Sequence, residues 1–304
     1  IDKLGTHKLR GPLFFEIQDD FQRFEFKTAK ILSKQKPIKD VNSSSSIEKA
    51  VQNYLVKLKS SEKPLILLGA GADIMHPEFN SHLNSLLNKI NVPIVCTWGA
   101  QSIQINKKIL HKGLFGTHSP GAGNAYVQNC DLLMVIGASL LQHQVGKKKD
   151  LFAPEANIIA VNNGVNESKR LKNDFGKRIK IHKTDSISYL SCLDTAVNIA
   201  DEYDAHWSVT SNPHLESKIK NQIPIKILSA ILTACPKTYA VYSDAGATLS
   251  WTYQAASRCD APKITTAFNL HTMGYSLPAA IGAATSLSCE GALAISGDGG
   301  FMMN

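Results

Sequence analysis

Short, almost wholly apolar runs alternate along this chain with longer segments whose apolar residues recur at helical spacing. Leu65–Leu68, Val92–Thr97, Asp131–Ile136 and Asn157–Val161 are such runs. Between and before them lie helical stripes, such as Ile47, Val51, Leu55 and Leu58, then Phe79, Leu83, Leu86, Leu87 and Ile90. Strands that are apolar on both faces must be covered on both faces. Strands separated by helices are joined by right-handed crossovers into a parallel sheet.

A second series of the same kind starts near Ile223. It reads as a helix with Ile227, Leu228, Ile231 and Leu232 on one stripe, then the strand Thr238–Tyr242 and the turn Asp244-Ala245-Gly246. A helix through Trp251, a strand Lys263–Phe268, a helix Leu277–Thr285 and the run Ala292–Ile295 follow. The expected fold class is α/β, with two consecutive doubly wound parallel-sheet domains. Their expected bounds are 43–200 and 223–304, with 201–222 a polar linker. Residues 11–22 read as one buried strand with nothing before it to pair with. Residues 1–42 are therefore expected to close a sheet lying upstream and to lead into a linker. Ser43-Ser44-Ser45-Ser46, the one low-complexity tract, marks that linker, and Ser45 with Glu48 makes a capping box.

A chain that is 43% hydrophobic and 19% charged has the composition of an ordinary globular protein. Its formal net charge of +8 comes mostly from scattered lysines, and the longest basic run is Lys147-Lys148-Lys149. With no recognition motif or basic stripe, a nucleic-acid partner is not expected. No run is long enough for a membrane span. The six cysteines stand singly without a C-x-x-C pair, which argues against a zinc site or disulfide framework and suits the cytoplasm.

Several turns could carry chemistry. Gly69-Ala70-Gly71 after a strand matches half of a dinucleotide fingerprint. Ile74 stands where the third glycine belongs, and no acidic residue ends the next strand, so a tight structural turn is favoured over NAD binding. The loop from Gly113 to Gly123 could wrap a nucleotide or flavin, or only turn a corner, and His118 within it reads as a surface or loop-bracing residue rather than a catalyst. Asp244-Ala245-Gly246, Asn269–Gly274 and Gly297-Asp298-Gly299-Gly300 each follow a strand. Ligands collect at carboxyl ends of such strands. A carboxylate among glycines at a helix start suits a divalent cation together with a phosphate. Taken alone, Met273 reads as a core filler and Asp298 as a turn residue; three such turns in one domain favour a site.

Together these segments resemble the thiamine-diphosphate (ThDP) enzymes of the acetolactate synthase type, in order and over nearly the whole chain. Gly11-Pro12 with Ile17, Asp20 and Gln22 is similar to the closing strand of that family's pyrimidine-binding domain. Residues near 47–195 resemble its central domain. Leu270–Gly282 and Gly297-Asp298-Gly299 resemble its diphosphate-binding domain. The ordered pair Thr272-Met273-Gly274 and Gly297-Asp298-Gly299 carries the resemblance.

The resemblance implies a transferase or lyase that decarboxylates 2-keto acids and joins carbon units, using ThDP and Mg²⁺. It makes Asp298 the metal ligand and sets backbone N–H groups of Gly299 and Gly300 against phosphate, with Gly246, Ala247 and Thr248 on the same diphosphate. Met273 would lie beneath the cofactor's bend, with His271 beside its pyrimidine; Thr272 and Gly297 complete the set. No flavin pattern marks the central domain, so FAD is left open but not indicated. The family's catalytic glutamate and second metal ligand, an asparagine, fall outside this stretch, and Asn304 reads as helix surface. The chain is therefore expected to be a piece without turnover of its own, from a protein that forms a homodimer or homotetramer. Gly300 in place of serine, Ala247-Thr248-Leu249 in place of Gln-His-Gln, and His271 in place of glycine depart from the pattern. Two alternatives stand beside this reading, a ThDP enzyme of sugar biosynthesis and a non-catalytic nucleotide- or flavin-binding module.

Overall fold

The computed structural model describes residues 44–304, apart from 73, 75, 120, 198–202, 204–206, 210–217, 219–220, 269 and 287–288. The expected strand over 11–22 lies outside these residues, as does most of the expected linker. In chain order the strands are β1 (Pro64–Leu68), β2 (Ile94–Cys96), β3 (His111–Leu114), β4 (Leu132–Ile136), β5 (Asn157–Val161), β6 (Ile179–His182), β7 (Tyr239–Ser243), β8 (Ile264–Thr265) and β9 (Gly291–Ile295). The α-helices are α1 (Ser44–Lys59), α2 (Pro77–Lys89), α3 (Gly121–Asn129), α4 (Gln142–Val145), α5 (Val165–Phe175), α6 (Ser186–Ala196), α7 (Ile223–Ala234), α8 (Ala247–Ala256), α9 (Ser276–Thr285) and α10 (Asp298–Phe301).

Six strands form one sheet in the order β3-β2-β1-β4-β5-β6. Every pair in it is parallel. The chain builds outward from β1 in one direction, then restarts at β4 in the other. Between those two strands lies the switch point, where such sheets leave a crevice. Alternate residues of β1 and β4 point to opposite faces and enter two separate cores. Ile66, Leu68, Met134 and Ile136 pack with Tyr54 of α1, Phe79 of α2 and Tyr189 of α6. Leu65, Leu67, Leu133 and Val135 pack with Val127 of α3 and Leu171 and Phe175 of α5. This two-sided burial makes the central strands uniformly apolar, and each buried aliphatic side chain contributes about 1.5–3 kcal/mol. The second sheet has the order β8-β7-β9, also parallel.

The α/β class with two parallel sheets is thus as the sequence led us to expect, and several local expectations are corrected. β3 (His-Lys-Gly-Leu) and β6 (Ile-Lys-Ile-His) were not among the strands read from the sequence. They are the two edges of the sheet, where one side meets solvent and the residues need not be apolar. The expected strand Lys263–Phe268 shrinks to Ile264–Thr265, another edge. In α7 the buried residues are Ile225 and Leu232, whereas Ile227 and Ile231 are exposed. That helix is apolar around most of its circumference, so spacing could not select the packed stripe. Ser44–Ser46 belong to α1 rather than to a linker, and the helix starts one residue ahead of the expected capping box. Within 201–222, Trp207 donates its Nε1–H to the Pro64 carbonyl at 2.8 Å and Tyr203 its hydroxyl to Ser61 O at 2.8 Å, so these two side chains pack on the first sheet's body.

Candidate functional site

The carboxyl ends of β7 and β9 lie side by side because the two strands pair in register, Ser243 opposite Ile295. The ladder extends one step further, with the Asp244 N–H donating to Ile295 O at 2.8 Å. This sets the turn after β7 against the turn after β9. Gly246, at φ +89°, precedes α8, and a Cβ there would have open space around it. The Thr248 hydroxyl in the first turn of α8 lies 3.3 Å from where a Cβ of Gly297 would stand. Thr248 thus stands beside Gly297, two residues after Gly246, and Gly299 also faces open space. Asp298 is exposed at the start of α10.

A third turn joins them through Asp244, which the sequence placed in a candidate turn but gave no role of its own. Asp244 is 1% exposed. Its Oδ1 accepts the Gly274 N–H at 3.0 Å, and its Oδ2 accepts the Ser276 hydroxyl at 3.1 Å and the Ser276 N–H at 3.3 Å. The Ala245 N–H and the Ser296 hydroxyl also reach it, at 2.8 and 3.4 Å. Burial opposes ionisation of Asp244, but the hydrogen bonds from Ala245, Ser276 and Gly274 outweigh it and hold the carboxyl below its ordinary range. On the far side of the same turn, Asn304 Nδ2 donates to Gly274 O at 3.1 Å, so Asn304 is tied to that turn rather than idle on a helix surface. Two sequence signals could have pointed to Asp244. It is the first residue after a strand, and it is an acidic group next to small residues.

Met273 is 58% exposed, not a core filler. Thr272 is exposed beside it. His271, whose φ of +48° lies in the left-handed region, turns towards the first sheet, where its ring stands edge-on to His143 at a centroid distance of 5.3 Å. There both line a cavity of about 510 Å³ over the carboxyl ends of the first sheet's strands. Its wall includes the Gly116-Thr117-His118 loop and two buried hydroxyls, Thr184 and Ser186, whose oxygens have no protein partner. Burial, then the charges of His271, Lys149 and His118, lower the His143 pKa below its ordinary value. Trp98, in the cavity wall, stacks on Tyr253 of α8 at 4.9 Å, and Gln254 Nε2 donates to His118 O at 2.9 Å. His118 therefore braces the loop against the second sheet's helices while lining the cavity.

In Gly69-Ala70-Gly71, Gly69 packs tightly against the turn after β4, while Ala70 and Gly71 line the cavity. A Cβ on Gly69 would fall 2.3 Å from Gly137 O in the turn after β4. No group of three or more metal-ligating side chains occurs among the described residues, and none of their helices is long and apolar enough to cross a membrane.

Two parallel-sheet bodies, one with a crevice at its switch point and one with a carboxylate among glycines beside a helix start, place the chain among the α/β proteins. Residues 51–183 match the model of the thiamine pyrophosphate enzyme central domain, and residues 244–304 match the thiamine pyrophosphate enzyme C-terminal TPP binding domain. Together these matches span more than half of the chain, which belongs to the thiamine pyrophosphate enzyme family. Its relatives include the acetolactate synthase isozyme 1 large subunit of Escherichia coli, 26% identical over 97% of this chain and 51% of the relative. The isozyme 2 large subunit of the same organism is 28% identical over 81% of the chain and 44% of the relative. A probable acetolactate synthase large subunit of Methanococcus aeolicus is 25% identical over 97% and 52%. The chain spans about half the length of the curated relatives it matches.

Proposed function

We propose that the full-length protein is a ThDP- and Mg²⁺-dependent enzyme that decarboxylates 2-keto acids and transfers the resulting carbon unit to a second carbonyl, as an acetolactate synthase does. The observation that carries this reading is the nearness of Thr248 to Gly297, whose Cβ position would lie 3.3 Å from the Thr248 hydroxyl, which sets the start of α8 beside the turn bearing Asp298. The residues fit a diphosphate accompanied by a divalent cation. α8 spans ten residues, and its first N–H groups are free of intrahelical partners and favour an anion. Gly246 and Gly299 leave the room an approaching phosphate needs. Asp298 offers a hard oxygen ligand in reach of solvent.

In this reading Asp298 would hold Mg²⁺, and the backbone N–H groups of Gly299 and Gly300 would serve as donors to the phosphates. Gly246, Ala247 and Thr248 would bind the same diphosphate. Met273, released from core packing, offers an apolar side chain to the cofactor's rings, with His271 and Thr272 beside it. Bound there, ThDP supplies the electron sink for breaking and making bonds at the carbonyl carbon, and the protein supplies orientation and electrostatics.

Isothermal titration of the full-length protein with ThDP in the presence of Mg²⁺ tests the assignment. Asp298→Ala should abolish the binding heat. Equal affinity in parent and variant removes Asp298 from the site.

A further inference from the structure

We infer that Asp244 and Asn304 are positioning residues for the cofactor turn, clamping Gly274 between them. The inference rests on the cofactor reading above. Gly274 has both backbone groups held by side chains, its N–H by Asp244 and its carbonyl by Asn304. Its φ is +76°, and a Cβ there would lie 2.8 Å from the Met303 Cβ, so the turn has no slack for a side chain. The Asp244 carboxylate that holds Gly274 also accepts from Ser296, next to Gly297, and belongs to the turn that opens α8. One buried group thus fixes the spacing of all three turns assigned to the cofactor.

Gly300 completes the lock. A Cβ at that position would stand 2.9 Å from Asp244 Cγ and Oδ2 and from Ser296 Oγ. The carboxylate fills the space that a residue-300 side chain would need, which accounts for glycine where the resemblance leads one to expect serine. A buried carboxylate with every acceptor direction engaged is expensive in desolvation, and an apolar replacement of equal volume is often no less stable. What the ionised group adds is fixed geometry. It accepts from donors on three separate segments at once, which an apolar side chain cannot do. Asn304, which also reaches Gly300 O at 3.5 Å, ties Gly274 to α10.

The test is ThDP titration at saturating Mg²⁺ on the full-length protein, comparing the parent with Asp244→Asn, Ser276→Ala and Asn304→Ala. Ligand-free melting of each is measured alongside. Loss of a residue that orients binding groups should weaken ThDP by about 10- to 100-fold. Asn304 is exposed, so Asn304→Ala should do this with ligand-free melting unchanged. The KM for ThDP should rise by the same factor, with the kcat for pyruvate decarboxylation retained at saturating ThDP. Because both side chains act through Gly274, the Asp244→Asn/Asn304→Ala pair should weaken ThDP by less than the product of the single effects. If Asp244→Asn fails to fold, Ser276→Ala and Asn304→Ala carry the decision. Parent-like affinity in the folded variants overturns the clamp, as does an affinity loss that only follows lost ligand-free stability. A parent protein that does not bind ThDP overturns the cofactor reading itself, and the clamp with it.

Discussion

Alanine at Gly137 should be among the most damaging single-methyl additions in this protein. Gly137 follows β4 at the switch point, with φ +65°. A Cβ there would lie 2.1 Å from Ala72 N, 2.3 Å from Gly71 C and 2.7 Å from Ala72 Cα. These are backbone atoms of the turn after β1, which also donates the Gly71 N–H to Gly137 O at 2.9 Å. No rotamer change can relieve the overlap. The left-handed backbone costs an alanine about 1–2 kcal/mol and overpacking about 1–3 kcal/mol more, for a total of about 2–5 kcal/mol. At about 2–4 °C per kcal/mol for a body of this size, melting should fall by roughly 4–20 °C.

Two control substitutions separate the contributions. Gly69→Ala carries the close contact, 2.3 Å to Gly137 O, without a positive φ, and Gly176→Ala carries φ +57° with nothing within 4 Å. Each should cost about 1–3 kcal/mol by urea unfolding, with Gly137→Ala costing more than either. If Gly137→Ala costs under about 1 kcal/mol, the two turns are not packed as described. If Gly69→Ala instead spares stability and removes a ligand, those glycines exist for phosphate approach, and the packing account fails.

Acid should destabilise the fold in two stages. His111, His143 and His182 all have folded pKa values lowered first by burial. The unfolded chain therefore binds protons first, and stability should decline as pH falls below about 6.5, with a shallower decline in His143→Gln. Asp244 has its folded value depressed, so its contribution is present above the ordinary carboxyl pKa of about 3.9 and lost as pH drops through the lower, folded one. NMR titration of the histidines and urea unfolding across pH check both stages, and a flat profile from pH 7 to 5 contradicts the first. Trp98→Leu should lose the stacking on Tyr253, about 0.5–1.5 kcal/mol beyond the buried area, with a change in tryptophan emission. An unchanged unfolding midpoint would argue that the stack contributes nothing.

Much of the fold was legible for a simple reason. The central strands β1, β4 and β5 are buried on both faces, so their runs stand out, and α1 and α2 have one clear stripe each. The edge strands β3 and β6 were missed because each is four residues long and interrupts its apolar residues with Lys and His, so no apolar run marks them. The stripe of α7 was misread because nearly every face of that helix is apolar. In the site, glycines and a carboxylate in three turns could be found in the sequence. Asp244 was legible as a carboxylate at a strand end, but its role was not, because a carboxylate in a turn reads the same whether it faces water or five donors.

By itself the sequence determined the α/β class, the alternation that builds two parallel sheets, and the small-residue turns at their strand ends, because burial and turn geometry act locally on residue type. Only the tertiary structure decided that β7 and β9 are neighbours, so that residues 244 and 296 meet across 52 positions of chain. It also decided that His271 turns to His143 of the other sheet's body, and that Gly274 is held from both sides. Those pairings follow from which strands lie side by side, a property of the whole packed chain that no local pattern encodes.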